Sequence, residues 1–315
     1  MAGRDFYDWL IDRCGGDAAA QAVQIGLVWT LCRSDAQMGL AMTPQHYSRT
    51  LAFPGTLAGT PLKRLAASIR GWEPFEASVA MAAINAAIHV ESSGFDHVVA
   101  LPNAQGNLSV FDYFLPRIKG ARIVVIGRYP GMDAYEAEYD LQVIERFPGA
   151  NDYPDPAAEF LIPEADWVFL TASSIPNKTF PRLAELSRDA ITVLMGPTTP
   201  WLPELSEWGI DFLAGVVVND QALLAQSIAE GGGRAIFDAA VSYRVADIGQ
   251  KRMQAVKQEI AELAERRDAL KYEMGQWYEA GNTSRFPMLA GLEQVQADLS
   301  RLDTQYKYMW DVRHA

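Results

Sequence analysis

Two cysteines, Cys14 and Cys32, and four histidines are all that this 315-residue chain carries of the side chains that most often bind soft metals. There is no CxxC pair, and two thiols build no disulfide framework. So low a count fits a reducing compartment. His46, His89, His97 and His314 show neither HxH nor HExxH spacing. No Ser-His-Asp or Cys-His set announces a nucleophile, so whether the chain is an enzyme stays open. Basic residues are outnumbered, 27 against 39 acidic ones, for a formal net charge of −12. Nucleic acid and anionic membrane surfaces both need clustered Lys and Arg, so neither is expected as a partner. No apolar run approaches the roughly 20 residues that span a bilayer. Asp5, Asp8 and Asp12 interrupt the apolar N-terminus, unlike a signal peptide. A cytoplasmic protein is the expectation.

Apolar residues make up 49% and charged residues 21%, ordinary for a globular chain long enough for two or more cores. The stretch from Ala121 to Asp133 organises the rest. Ile123 to Ile126 form a continuous apolar run that stops at Gly127, with Pro130 and Gly131 close behind. A short β-branched run without polar alternation suits a strand buried on both faces of a parallel sheet. The glycines after it permit a tight turn and close backbone approach to a ligand, which would use the N–H groups of the turn.

Ahead of this stretch, Asp5 to Cys14 predicts a short amphipathic helix. Val23 to Cys32 and Gln37 to Thr43 predict a hairpin joined by Arg33 to Ala36. Thr60 and Pro61 supply an N-cap and an N1 proline for a helix closing at Gly71. Pro74 to His89 is crowded with Ala80, Ala82, Ala83, Ala86 and Ala87, so it predicts a buried, closely packed helix. A hairpin with two helices makes residues 1–106 a compact α+β domain.

A helix over Leu108 to Ile118 opens the second domain, residues 107–246. Strands follow at Arg122–Ile126, Leu141–Ile144, Trp167–Leu170, Ile191–Leu194 and Phe212–Val218, with helices at Phe180–Arg188 and Asp220–Glu230. Strands alternating with helices imply βαβ units and a Rossmann-like parallel sheet. From residue 247 the pattern changes to spacings of three and four, at Met253, Val256, Ile260, Leu263, Arg267, Leu270, Met274 and Trp277. It resumes after Pro287 at Met288, Leu292, Val295, Leu299, Leu302, Tyr306 and Met309. Two heptad-patterned arms joined by a polar loop predict an antiparallel helical hairpin, its first arm on the order of 40 Å long. The apolar stripe is satisfied either within the hairpin or by the same element of a second subunit. A homodimer through the hairpin is the expectation.

Several stretches resemble a family of bacterial and archaeal proteins labelled "putative heavy-metal chelation domain". They are Gly71 to Ser78, Ala82 to Ala86, Gly127 to Pro130, Ala165–Asp166, Thr171 to Thr179, Gly196 to Pro200 and Ala214–Gly215. The similarity covers roughly residues 15–245. It implies an enolase-N-terminal-like domain packed on a Rossmann-like domain, with a site in the cleft between them. This chain has Arg128 where the family often has histidine, so that ligand is lost. The hairpin lies outside the family core, as an added assembly element.

The site candidates cluster at predicted strand ends. The Gly127 turn is not GxGxxG, which lowers the case for a dinucleotide. Glu145 ends the second strand, where related folds place an acid on a ribose hydroxyl, or it is a solvated strand-end residue. Gly196, Thr198 and Thr199, between Pro197 and Pro200, offer hydroxyls for a carboxylate or phosphate in a preformed loop; the alternative is a rigid turn. Asn177 and Thr179 could converge there, with Lys178 as a charge or a solvated surface residue. Asn85 in its small-residue helix needs a hydrogen-bond partner, backbone or ligand. Cys32, Met38, Met42 and His46 would make a soft metal site, although core-packed methionines explain the pattern better. The chain is therefore expected to bind a small anionic ligand, free or metal-complexed, with a nucleotide-like cofactor the weaker candidate. The alternative is an accessory protein whose hairpin docks a partner.

Overall fold

The computed structural model describes residues 3–46, 51–53, 55–88, 93–95, 97–102 and 106–314. His89, at the end of the predicted alanine-rich helix, lies outside them. Residues Met1–Ile248 form one compact unit and Gly249–Ala315 a second.

The first unit opens with helix α1, Gly3–Asp12, and an antiparallel sheet of β1, Ala22–Ile25, β2, Trp29–Arg33, and β3, Met38–Met42. The predicted first strand is thus two strands. A turn at Gly26 divides it, with Gly26 N donating to Trp29 O at 3.0 Å, and the position takes glycine because a Cβ there would lie 2.7 Å from the Ile228 carbonyl and 2.9 Å from that of Trp29. Helix α2, Leu62–Ala66, starts one residue later than expected. Pro61 occupies the cap position with φ −55 and ψ 136, and Thr60 contributes its carbonyl, which accepts from Ala20 N at 2.9 Å. Helix α3, Pro74–Ala87, is capped by Glu73, whose carboxylate accepts from Glu76 N at 2.6 Å. Its residues from Ala77 to Ile84 are all buried. Only small side chains let a sheet come this near: a Cβ on Gly39 of β3 would sit 2.2 Å from Ala82 O and Ala86 N.

The second layer is a sheet of seven strands in the order β4-β10-β9-β8-β7-β5-β6. In chain order its elements are β4 (Val98–Ala100), α4 (Leu108–Ile118), β5 (Ile123–Ile126), α5 (Asp133–Glu136), β6 (Leu141–Ile144), α6 (Ala158–Leu161), β7 (Trp167–Thr171), α7 (Phe180–Leu186), β8 (Ile191–Met195), β9 (Phe212–Val218), α8 (Gln221–Ala229) and β10 (Val241–Asp247). Strands β6, β5, β7, β8 and β9 are parallel, while at one edge β10 pairs antiparallel to β9 and β4 antiparallel to β10. The chain goes from β5 to β6 on one side and then to β7 on the other. This reversal is a topological switch point, and it opens a crevice at the carboxyl ends of β5 and β7.

One apolar core joins both layers of the first unit, taking in Phe6 and Leu10 of α1 together with Phe180, Leu194 and Leu213. The Phe6 ring packs 4.6 Å from Phe180 and 4.8 Å from Trp208. Polar ties cross the same joint. Tyr7 Oη donates to Ile175 O at 3.0 Å, Met42 N to Thr198 Oγ1 at 2.9 Å, and Asn85 Nδ2 to Thr198 O at 3.0 Å. A fully buried Phe ring stabilises by about 3 kcal/mol. Each such hydrogen bond contributes about 1 kcal/mol net. Burial therefore holds the layers together, and the bonds set their register.

The second unit is a helical pair, α9 (Gln250–Glu279) and α10 (Leu289–His314). Leu270, Leu292, Val295 and Leu299 bury one another, with Ile260, Leu263, Met274 and Leu289 packed around them. At these positions the heptad stripe is covered within the pair. No helix among the described residues is long and apolar enough to cross a membrane.

Candidate functional site

A groove of about 1390 Å³ runs over the switch point. The antiparallel layer lines it with Met42, Thr43, His46, Trp72 and Ser78. The parallel sheet contributes the segments that follow β5, β6, β7 and β8. Strand ends dominate because each parallel strand of the layer points its carboxyl end the same way.

Of the residues expected at the site, Gly127, Glu145, Asn177, Thr179, Gly196 and Thr198 line this groove together; Asn85 and Thr199 do not. Asn85 faces the joint, donating to Leu40 O at 2.8 Å and to Thr198 O. Its Oδ1 is buried without a partner among the described residues, as is the Oγ1 of Thr199. Thr198 is 2% exposed, and its hydroxyl already accepts from Met42 N. Gly196 takes φ +112, a conformation only glycine adopts without strain.

The Gly127 turn works differently from the expectation. Gly127 N donates to Ile144 O at 2.8 Å, Arg128 N to Glu145 Oε2 at 2.8 Å, and Tyr129 N to the Met132 sulfur at 3.3 Å. None of these three N–H groups is left for an anion. Both Glu145 oxygens serve backbone, since Oε1 accepts from Arg146 N at 2.8 Å. Glu145 thus staples the turn to the end of β6. Gly127 itself takes φ +95, and a Cβ there would come within 3.3 Å of the Thr171 methyl.

Charge in the groove is mostly neutralised in place. Arg128 is held by Asp152 at 2.6 Å, Asp133 at 3.2 Å and Glu136 at 2.5 Å. Arg182 pairs with Glu159 and Glu185, and Arg146 with Asp155 at 3.4 Å. Lys178 and Arg234 face no carboxylate among the described residues.

Lys178 is the one described non-glycine residue with positive φ, at +68. A left-handed conformation costs an L-residue with a Cβ roughly 1–2 kcal/mol. Its ammonium lies 4.9 Å from the centre of the Tyr7 ring and donates to Pro176 O at 3.2 Å. Burial disfavours the charged form and brings its pKa down to about 8. Strain and a shifted pKa in one groove-lining residue mark a functional candidate. Beside it, Ser174 is 2% exposed and its hydroxyl has no partner among the described residues. Sequence reasoning missed Ser174, and no local signal marks a serine as buried and unbonded. It passed over Trp72 and Phe147 too, although a tryptophan just before a helix cap was a visible signal.

The donor set of the described residues does not suit a protein-held metal. Among the described residues no three His, Cys, Asp or Glu side chains gather so as to hold an ion. Cys32 is fully buried, and burial pushes both thiols up to about 12. His46 instead packs its ring 4.1 Å from Phe147. Iodoacetamide near neutral pH is therefore expected to label neither cysteine in the folded protein and both after denaturation. Mass spectrometry of the two samples would check this; rapid labelling of native Cys32 would show the core open.

Two family models match the chain, one over residues 7–88 and one over 109–247, and both carry the description "Putative heavy-metal chelation". A solved structure from Desulfitobacterium hafniense, titled a protein with unknown function from the DUF364 family, is 30% identical. It superposes with a TM-score of 0.67, over 78% of this chain and 98% of that one. A second, from Pyrococcus horikoshii and titled likewise, is 20% identical with a TM-score of 0.57, covering 78% of this chain and 100% of that one. It shares the fold. No curated protein matches.

Proposed function

The chain belongs to the DUF364 family, described as putative heavy-metal chelation, and from that premise we propose that it binds a small anionic ligand, free or metal-complexed, in the groove over the switch point. The observation that carries this reading is Lys178. Its ammonium is partly desolvated, paired with no carboxylate among the described residues, and kept in a strained turn at the end of β7. A strained residue persists where its surroundings, or a function, require it. The unpartnered Ser174 hydroxyl and the polar Asn177 and Thr179 lie on the same loop. Together they offer one cation and several neutral donors to a carboxylate or phosphate. The Gly127 turn, with its N–H groups bonded internally, contributes shape and close approach.

The sign of the pH dependence follows from the lysine. Below about 8 the ammonium is charged and attracts an anion; above it the amine is neutral and the attraction is lost. Citrate, pyrophosphate and AMP, titrated against the protein by thermal shift at pH about 7 and about 9.5, are the probes. At least one should stabilise the protein at the lower pH and lose most of that effect at the higher. In Lys178→Met the response should be weak at both. An anion response that ignores both pH and the substitution would remove Lys178 from the site.

A further inference from the structure

The groove is far larger than a simple anion needs, and its mouth is aromatic. Pockets for drug-sized ligands commonly enclose about 300–1,000 Å³, and this one encloses about 1390 Å³. Phosphate or citrate bound at Lys178 would leave most of it filled with water. Trp72 lines the groove with 84% of its surface exposed, and Phe147 lines it with 58% exposed. The His46 ring packs against Phe147 at 4.1 Å with the ring planes inclined at 48°, so the two form one angled aromatic shelf. These residues come from three separate segments: the one after β3, the one before α3 and the one after β6. A large aromatic ring left in water at the lip of this groove loses apolar burial, unless a ligand covers it.

Resting on the anion-binding reading above, we propose that the ligand is a planar, conjugated organic anion that brings its own metal-donor atoms. Its flat face would lie on Trp72 and the His46–Phe147 shelf, and its carboxylates would reach Lys178 and Ser174. The protein's donor set carries the second half of the inference. No three ligating side chains gather among the described residues, and both cysteines are buried with pKa values raised by burial. A metal handled by this fold is then cargo, already held by the ligand's own atoms. The family's chelation label and the missing donor cluster are reconciled if the chelator is the guest.

The test uses probes of matched charge and different shape: zinc mesoporphyrin, which is flat, and zinc–EDTA, which is not, with zinc chloride as the bare ion. Binding is followed by tryptophan quenching and by calorimetry on the full chain. Zinc mesoporphyrin should bind at least about tenfold more tightly than either of the others. Because Trp72 is so exposed, Trp72→Ala leaves the core intact. It and Phe147→Ala should each weaken the flat probe about tenfold, while Trp72→Phe stays within about threefold of wild type. Zinc chloride binding as tightly as the porphyrin would make the protein itself the chelator and overturn the proposal. Equal affinity for zinc–EDTA, or no effect of Trp72→Ala and Phe147→Ala, would overturn the planar platform. Lys178→Met separates the two readings. If it weakens the porphyrin and the aromatic variants do not, the anion site stands and the platform falls. The converse leaves the platform and removes the anion site.

Discussion

Gly39→Ala is expected to leave the protein unfolded or to destabilise it by on the order of 4 kcal/mol or more, among the largest single-methyl effects a chain can show. The cause is space. The new Cβ would meet Ala82 O and Ala86 N at 2.2 Å and Asn85 C at 2.5 Å, all backbone atoms that no rotamer change can move aside. Either β3 or α3 must retreat by roughly an ångström, and close-packed interiors do not yield that cheaply. Retreat of α3 would also pull Asn85 from Leu40 and Thr198, so the joint lining one side of the groove would loosen with it. Guanidinium denaturation followed by tryptophan fluorescence reads the midpoint. Gly275→Ala is the control: it lies within α9 with nothing inside 4 Å. In that helix the swap should be neutral or stabilise by up to about 1 kcal/mol. A Gly39→Ala protein with a wild-type midpoint would mean that the helix–sheet approach is not as tight as described.

The second large effect sets stability against binding at Lys178. Lys178→Gly and Lys178→Ala both remove the ammonium and its contact with Tyr7. Only glycine relieves the left-handed strain at φ +68. The glycine variant should therefore be more stable than the alanine variant by about 1 kcal/mol, after allowing for glycine's greater freedom when unfolded. For a unit of this size that separates the melting temperatures by about 2–4 °C. Both variants should lose the anion response by at least about tenfold, as expected when one charge-assisted contact goes. Stability regained by glycine while binding is lost is the signature of strain maintained for function. If the two variants melt together, the turn is not strained. Should either keep the anion response, the cation lies elsewhere, with Arg234 the next to replace.

Much of the architecture was legible because its signals are local. Ile123 to Ile126, Trp167 to Leu170 and Ile191 to Leu194 are unbroken apolar runs, and a strand buried on both faces needs that composition. The heptad spacing from Met253 onward shows the helical pair in the same way. Strands β10 and β4 escaped the sequence reading. Val241, Tyr243 and Val245 of β10 are buried while Ser242 and Arg244 between them are partly covered, an alternation visible in the sequence. The three residues of β4 carry too little pattern to stand out, and only pairing with β10 defines them. Gly26 likewise looked like an ordinary residue within one strand, since the Ile228 carbonyl that forbids a side chain there is some 200 residues away in sequence.

The site divides along the same line. Glycines, prolines and threonines after apolar runs point to strand ends, and parallel connectivity then places those ends on one rim, which is why Gly127, Asn177, Thr179, Gly196 and Thr198 share a groove. Local order along the chain was enough for that much. Which of these groups remain available to a ligand depended on contacts between distant segments. Glu145 is turned inward by the N–H groups of Arg128 and Arg146, Asn85 by the carbonyls of Leu40 and Thr198, and Lys178 is lifted over Tyr7 from α1. Hydrogen bonds and desolvation act through space, and a linear pattern carries no record of who the neighbour across the joint will be.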